Sequence, residues 1–396
     1  MNAMPQPLPG CRILVAFGTR PEAIKMMPVL AALRHQPWLR PLACATGQHG
    51  GLVADVLAEF GERADIDLGA QPAGQGLPLL TGHLLAAMAG AIAATRPDLV
   101  LVQGDTVSAF AGALAAHQAG VPVGHVEAGL RSGDLQNPWP EEFHRVAIDA
   151  LAALRFAPTA AAAANLRAEY GSGQVLVTGN TGIDALFRAR RTGVVPVELR
   201  PGRRMVLVTA HRRENWGVPL LRIADAVAAL AARGDVDLVW PLHPNPAVRD
   251  AVTARLGAVP GVHLLGPLPY GDSVALLRAA CLLLTDSGGM QEEAPAIGLP
   301  VLILREVTER PEVVSAGAAL VTGTATAVIL AAANALLDHP DRLAEMARPV
   351  FPYGDGRAAD RIAEAVALWW EAKRSAARAD EPLRDQADQP DLVDRL

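Results

Sequence analysis

Short apolar runs alternate with amphipathic segments through both halves of the chain, and this alternation limits the possible folds more than any other feature. In the first half the runs are residues 12–17 (RILVAF), 42–46 (LACAT), 98–103 (DLVLVQ), 121–126 (VPVGHV) and 175–178 (VLVT). In the second half they are 205–209 (MVLVT), 236–242, 262–265, 281–285 (CLLLT), 301–304 and 318–321. Near-continuous apolar strands separated by helices are the pattern of parallel sheets covered on both faces. With 396 residues the chain exceeds what one core usually holds. The expected class is α/β, with two doubly wound, Rossmann-like domains facing each other across a cleft. Residues near 190–203 read as the linker between them. Helices are expected at about 326–337 and 358–372, and a frayed or disordered tail from about Ser375.

In open sheets of this type, ligands bind at the carboxyl ends of the strands. Ionisable residues collect at those ends. GTRPEAIK follows the first strand, which puts Arg20 in the loop and Lys25 one turn into the helix. Asp105 follows the strand 98–103, Glu127 the strand 121–126, and His211 the strand 205–209. The strand 281–285 runs into Ser287-Gly288-Gly289, and a helix is expected from about Met290 with Glu293 in its first turn. A strand, a glycine pair and a helix N-terminus present backbone N–H groups and a positive dipole end to an anion. Glu293 could chelate a ribose diol with its two oxygens, so the stretch reads as a nucleotide-diphosphate site.

Simpler readings exist for each part. Ser287 and Asp105 would serve as N-caps, Arg20 and Lys25 as surface charges, and Glu141 with Arg145 as an intrahelical ion pair. Against them stands the convergence of these groups on strand ends. The segment 130–145 (LRSGDLQNPWPEEFHR) adds weight, because a long irregular loop inside a compact domain is usually functional.

Composition excludes some functions. A net charge of −6 leaves no global positive field for nucleic acid. No run of about 20 apolar residues is expected to span a membrane. Cys11, Cys44 and Cys281 lie far apart, which suits a reduced, cytoplasmic protein. No G-x-G-x-x-G follows the first strand and no P-loop occurs, which disfavours a nicotinamide cofactor or ATP-driven chemistry; no cofactor is expected. His49, His125, His211 and His243 show no metal-type spacing, so no catalytic metal is expected.

The cleft would therefore hold phosphate donors (Arg20, Lys25, His211, Arg310 and the Ser287-Gly288-Gly289 turn) and acid/base groups (Asp105, Glu127, Glu141 and His211). Clustered carboxylates are expected to raise one another's pKa. Such a set could expel a nucleoside diphosphate from a sugar. The residues alone stop at chemistry on a nucleotide sugar.

The segments GTRPEAIKMMPV (18–29), TGQH (46–49), GDT (104–106), HVEAGLRSGD (125–134), PWPEEFHR (138–145), TGNTGIDAL (178–186), TAHRREN (209–215), TDSGGMQEEAP (285–295), TERPE (308–312) and PYGDG (352–356) go further. Together, in this order, they resemble the non-hydrolysing UDP-N-acetylglucosamine 2-epimerases over nearly the whole chain. The resemblance implies a GT-B fold, usually as a homodimer. Residues 1–190 would form the first domain, completed by a C-terminal helix at about 366–396, and residues 191–365 the UDP-binding domain. It implies interconversion of UDP-GlcNAc and UDP-ManNAc through elimination of UDP and re-addition. By motif, Asp105, Glu127 and Glu141 resemble the family's acid/base carboxylates, and His211 the histidine near the diphosphate. Arg20, Lys25 and Arg310 resemble its nucleotide-site cations, Ser287, Gly288 and Gly289 its phosphate turn, and Glu293 its ribose ligand. Leu268 resembles the loop that reads uracil, and Arg145 and Glu142 resemble supports. Some members bind a second UDP-GlcNAc as an activator near TGQH and HRRE. Gly50-Gly51 stand here where many members carry Arg-Glu, which weighs against that regulation. A relative acting on a UDP-2,3-diacetamido-uronic acid shares most of these motifs, and a GT-B glycosyltransferase would share the nucleotide turn.

Overall fold

The computed structural model describes residues 10–69, 76–169, 171–189 and 193–387, with side chains described as far as residue 376. The expected boundary near 190 falls in 190–192, outside the described residues. Strands β1 (Cys11–Phe17), β2 (Leu39–Ala45), β3 (Ile66–Asp67), β4 (Leu99–Gln103), β5 (Val123–Val126), β6 (Leu154–Ala157) and β7 (Gln174–Val177) form one parallel sheet in the order β3-β2-β1-β4-β5-β6-β7. Strands β8 (Arg204–Thr209), β9 (Val236–Pro241), β10 (Val262–Leu265), β11 (Ala280–Thr285), β12 (Val301–Ile303) and β13 (Ala319–Val321) form a second parallel sheet, ordered β10-β9-β8-β11-β12-β13. Both are doubly wound, as the alternation of runs requires. Each changes winding direction at one point, between β1 and β4 in the first sheet and between β8 and β11 in the second. Crevices open at those points.

β3 and β6 are additions to the strands read from the sequence. β3 is only two residues long. In β6, the buried Arg155 interrupts an otherwise apolar run. Its guanidinium donates to the Gly171 carbonyl at 3.0 Å, so the strand stays buried with its charge hydrogen-bonded. The last helix, Ala358–Ala387, corrects the expectation of a frayed tail from Ser375; residues 388–396 lie outside the described residues. Its Ala359, Ile362, Ala363 and Val366 join the core made by β1 and the helix Arg20–His35.

Helix Leu77–Thr95 corrects a second expectation. It has 19 residues, and an 18-residue stretch of it has a mean hydropathy of 1.7, long and apolar enough, by composition, to cross a membrane. Four of its residues, Leu84, Met88, Ala91 and Ile92, are buried, Leu84 beside Val107 and Ala111 of the helix Val107–Gln118.

At the mouth of the first crevice, Gly18 permits a close approach that no other residue would. A Cβ there would stand 2.0 Å from Ser108 Oγ and 2.2 Å from Thr46 Oγ1. Those hydroxyls are 2.7 Å apart, and Ser108 Oγ donates to Gln48 Oε1 at 2.6 Å. Neither can rotate away without losing a buried hydrogen bond. Gly18→Ala is expected to destabilise the protein by about 1–3 kcal/mol in chemical denaturation.

Candidate active site

The loop after β1 enters its helix through a capping box. Thr19 Oγ1 accepts from Glu22 N, while the buried Glu22 carboxylate accepts from Gly18 N at 3.1 Å and Thr19 N at 2.7 Å. Thr106, which caps the helix after β4, donates to the other Glu22 oxygen at 2.6 Å. The two loops of the first crevice are thus tied together. Arg20 is the first helical residue rather than a loop residue, and Lys25 lies just over a turn further on.

Between the two sheets lies a cleft of about 400 Å³. Lys25, Asp105, Glu127, Glu141 and Arg145 line it from one side, and Arg212, Glu292, Glu309 and Arg310 from the other. Both Glu127 oxygens accept from Lys25 Nζ, at 2.8 and 2.6 Å, and Gln103 donates to the same carboxylate. Asn180 Nδ2 reaches Glu127 Oε1 at 3.3 Å and Glu292 Oε2 at 2.7 Å. Arg310 Nε closes the chain on Glu292 Oε1 at 2.6 Å. A partly buried ionic network therefore runs from one half of the protein to the other.

Its electrostatics correct one expectation. Burial would raise the Glu127 carboxyl, but Lys25, with Arg310 and Arg145 behind it, outweighs that and holds it below the usual carboxylate range. The nearest charges are cations, so the carboxylates here do not simply raise one another. Burial likewise opposes the charge on Lys25 and on Arg310, and Glu127 and Glu292 respectively overcome it and raise both. Glu127 also has φ +67°, a left-handed backbone that non-glycine residues rarely adopt and that clusters at functional sites.

The intrahelical Glu141–Arg145 pair of the simpler reading does not form; Arg145 pairs elsewhere. Arg145 Nη2 donates to Asp105 Oδ2 at 2.5 Å, and Nη1 lies 3.3 Å from Glu142 Oε2. Glu142 Oε1 accepts from Ser132 N at 2.9 Å and Gly133 N at 3.1 Å, pinning the long loop. Glu141 is left lining the cleft.

A second group of expected residues lies beside the cleft rather than in its lining. Arg20 Nη2 donates to the Leu268 carbonyl at 2.6 Å. The Tyr270 hydroxyl donates to Glu293 Oε1 at 3.1 Å. Burial pushes the Glu293 carboxyl up to about 7, against that hydrogen bond and with help from the neighbouring Glu292 charge. The helix carrying Glu293 begins at Gly288, not near Met290, so Gly288 and Gly289 form its first turn. Ser287 is the N-cap residue but makes no side-chain cap bond, so the first-turn N–H groups are not capped by it. A Cβ on Gly288 would meet Arg310 Cζ at 2.7 Å, whereas Gly289 faces open space.

His211 stands apart from the acid/base cluster. Its ring stacks on His243 with centroids 5.7 Å apart, and Nδ1 lies 3.5 Å from Asp286 Oδ1. The fully buried Asp286 accepts from His211 N, Arg212 N and Asn215 Nδ2, each at 2.9 Å. Asn180, Asp286, Glu292 and Arg212 are site residues that the sequence alone does not single out, though all four lie inside the quoted motifs.

This arrangement has Asp105, Glu127 and Glu141 on one wall and Arg212 and Arg310 on the facing wall, with the helix N-terminus at Gly288 beside Arg310. It can hold a diphosphate against one wall while the other exchanges a proton with the attached group. A family model described as UDP-N-acetylglucosamine 2-epimerase matches residues 31–367. The UDP-N-acetylglucosamine 2-epimerase of Escherichia coli (strain K12) is 43% identical over 368 residues, covering 90% of this chain and 98% of that protein. The crystal structure of UDP-GlcNAc 2-epimerase from Neisseria meningitidis bound to UDP-GlcNAc aligns with a TM-score of 0.84 at 38% identity, covering 90% of this chain and 100% of that one. The S. aureus MnaA-UDP co-structure aligns with a TM-score of 0.83 at 40% identity, covering 91% and 97%.

Proposed function

Because this chain belongs to the UDP-N-acetylglucosamine 2-epimerase family and has its GT-B-like fold, we propose that it interconverts UDP-GlcNAc and UDP-ManNAc without hydrolysis. UDP leaves C1 as a carboxylate removes the C2 proton, giving 2-acetamidoglucal and UDP held in the cleft. Re-addition of UDP to C1 and of a proton to the other face of C2 completes the exchange. Asp105, Glu127 and Glu141 form the acid/base set, with Arg145 and Glu142 supporting it and His211 assisting near the diphosphate. Lys25, Arg310 and the N–H groups of Gly288 and Gly289, with Ser287 beside them, take the diphosphate; Arg20 and the Leu268 backbone sit at the base. The observation that carries the reading is the network Lys25–Glu127–Asn180–Glu292–Arg310, which joins acid/base and anion-binding walls across one cleft. The enclosure keeps the glucal from water.

The division at about 190, with the C-terminal helix returning to the first domain, belongs to this proposal, as do a cytoplasmic setting and a homodimer. The free thiols Cys11, Cys44 and Cys281 support the setting. For the dimer, Leu79, Trp139 and Phe143 leave apolar surface exposed around the helix Val107–Gln118, whose Phe110 meets Phe143 with ring centroids 5.7 Å apart. A second copy would cover that surface.

Incubation with UDP-GlcNAc alone, followed by separation of products, tests the function. UDP-ManNAc is the expected product. Free ManNAc with UDP would indicate a hydrolysing enzyme, and turnover only of a UDP-2,3-diacetamido-uronic acid would move the substrate.

Glu293 as ribose ligand makes a pH prediction. A ribose diol donates to the ionised carboxylate, and protonation near pH 7 competes with that. The advantage of wild type over Glu293→Gln in UDP affinity is therefore present above about pH 7 and lost below it. Calorimetry from about pH 8 to about pH 6 should show the two affinities converging as pH falls. A constant ratio would remove Glu293 from this role.

A further inference from the structure

Behind the cleft lies a pair to which the reaction above gives no task. His125 is 0% and Asp149 2% exposed, and neither lines the cleft. His125 belongs to β5, two residues before Glu127. Asp149 belongs to the helix Glu141–Leu151, whose first residue is Glu141. His125 Nδ1 lies 2.6 Å from Asp149 Oδ1, and Nε2 lies 2.8 Å from the Gly104 carbonyl oxygen. A carbonyl only accepts, so Nε2 carries a proton and donates it. The other Asp149 oxygen accepts from Gly129 N at 3.0 Å and from Arg131 Nη2 at 2.8 Å. Burial would raise the Asp149 carboxyl, but His125 and Arg131 outweigh it and hold it below the usual range.

The two ends of this pair grip particular backbone. Gly104, with φ +68°, directly precedes Asp105. Gly129, with φ +85°, follows Glu127 by two residues. One imidazole and one carboxylate thus connect the turn bearing Asp105 to the turn bearing Glu127. From the far side His144 Nδ1 holds the Asp105 carbonyl at 2.9 Å. Stability alone does not call for a buried ionisable pair, since apolar residues of the same volume are often neutral or better. Apolar residues cannot, however, hold two loop backbones by directed hydrogen bonds.

We propose that His125 and Asp149 are positioning residues that lock the Asp105 and Glu127 turns in register for proton transfer at C2. The inference rests on the 2-epimerase reading. Neither group touches the substrate, and no proton of the reaction passes through them.

The test uses the full-length protein with His125→Gln, His125→Ala and Asp149→Asn. Expected for Asp149→Asn and His125→Ala is a loss in kcat for UDP-GlcNAc turnover of roughly 10- to 100-fold, the scale for a small misplacement of catalytic groups. KM and the Kd for UDP should stay within about twofold, because apart from Lys25 those interactions lie on the other wall. Glutamine keeps a donor where Nε2 stood, so His125→Gln should recover part of the loss seen with alanine. If His125→Ala does not fold, the near-isosteric His125→Gln and Asp149→Asn carry the test through the same split between kcat and UDP affinity. Unchanged kcat in folded Asp149→Asn and His125→Gln would overturn the proposal. So would a fall in kcat matched by equal losses in UDP affinity and melting temperature, which would mark a packing role. Failure of the wild-type protein to epimerise UDP-GlcNAc would overturn the function itself, a result distinct from a loss confined to the variants.

Discussion

Glu127→Gln is expected to slow epimerisation by roughly 10³-fold, within the range for removal of a positioned acid/base group. The glutamine side chain has nearly the same shape and keeps one oxygen for Lys25 and Asn180. It cannot take a proton from C2, and it cannot balance the Lys25 charge that Glu127 now meets with both oxygens at 2.8 and 2.6 Å. Lys25 would then lean on Glu292, which already acts on it from the second half of the protein. UDP affinity should change far less than turnover, because apart from Lys25, which keeps its charge, the proposed diphosphate groups lie across the cleft from Glu127. Turnover assays beside UDP calorimetry separate the two effects. Turnover within tenfold of wild type would remove Glu127 from the acid/base set.

Arg310→Met is expected to have the largest effect on the folded state, about 3–5 kcal/mol in denaturant titration, as is usual when one partner of a buried ion pair is removed. Glu292 is 6% exposed and would keep only Asn180 as a hydrogen-bond partner. The guanidinium also lies over Gly288, where a Cβ would stand 2.7 Å from Cζ, so the same change removes a cation from beside the helix N-terminus. UDP affinity should fall together with stability. Replacing Arg310 and Glu292 together by apolar residues should restore much of the stability but not the affinity, since the buried charge is gone while the diphosphate still lacks its cation. Restoration of both would show that Arg310 serves the fold alone.

Both sheets were legible because parallel strands covered on two faces carry almost no polar residues. The site was legible because polar residues then stand out at strand ends, as Asp105, Glu127 and His211 do. β6 escaped because Arg155 satisfies its charge on the Gly171 carbonyl, a partner known only from the fold. Asn180 looks like any turn residue until its amide is seen between Glu127 and Glu292. The direction of the Glu127 shift depends on Lys25, Arg310 and Arg145, which arrive from three separate segments, so no local reading could supply it. Glu141 and Arg145 shared a helix face as spacing required, yet Asp105, forty residues away, offered Arg145 a better acceptor.

Proton exchange at C2 with UDP held in the cleft is tested most directly by proton NMR of UDP-GlcNAc with the protein in D₂O. UDP-ManNAc accumulating with deuterium at C2, with no cofactor added, is the predicted result. UDP-ManNAc that retained protium at C2, or free ManNAc and UDP in its place, would contradict the elimination and re-addition proposed for this cleft.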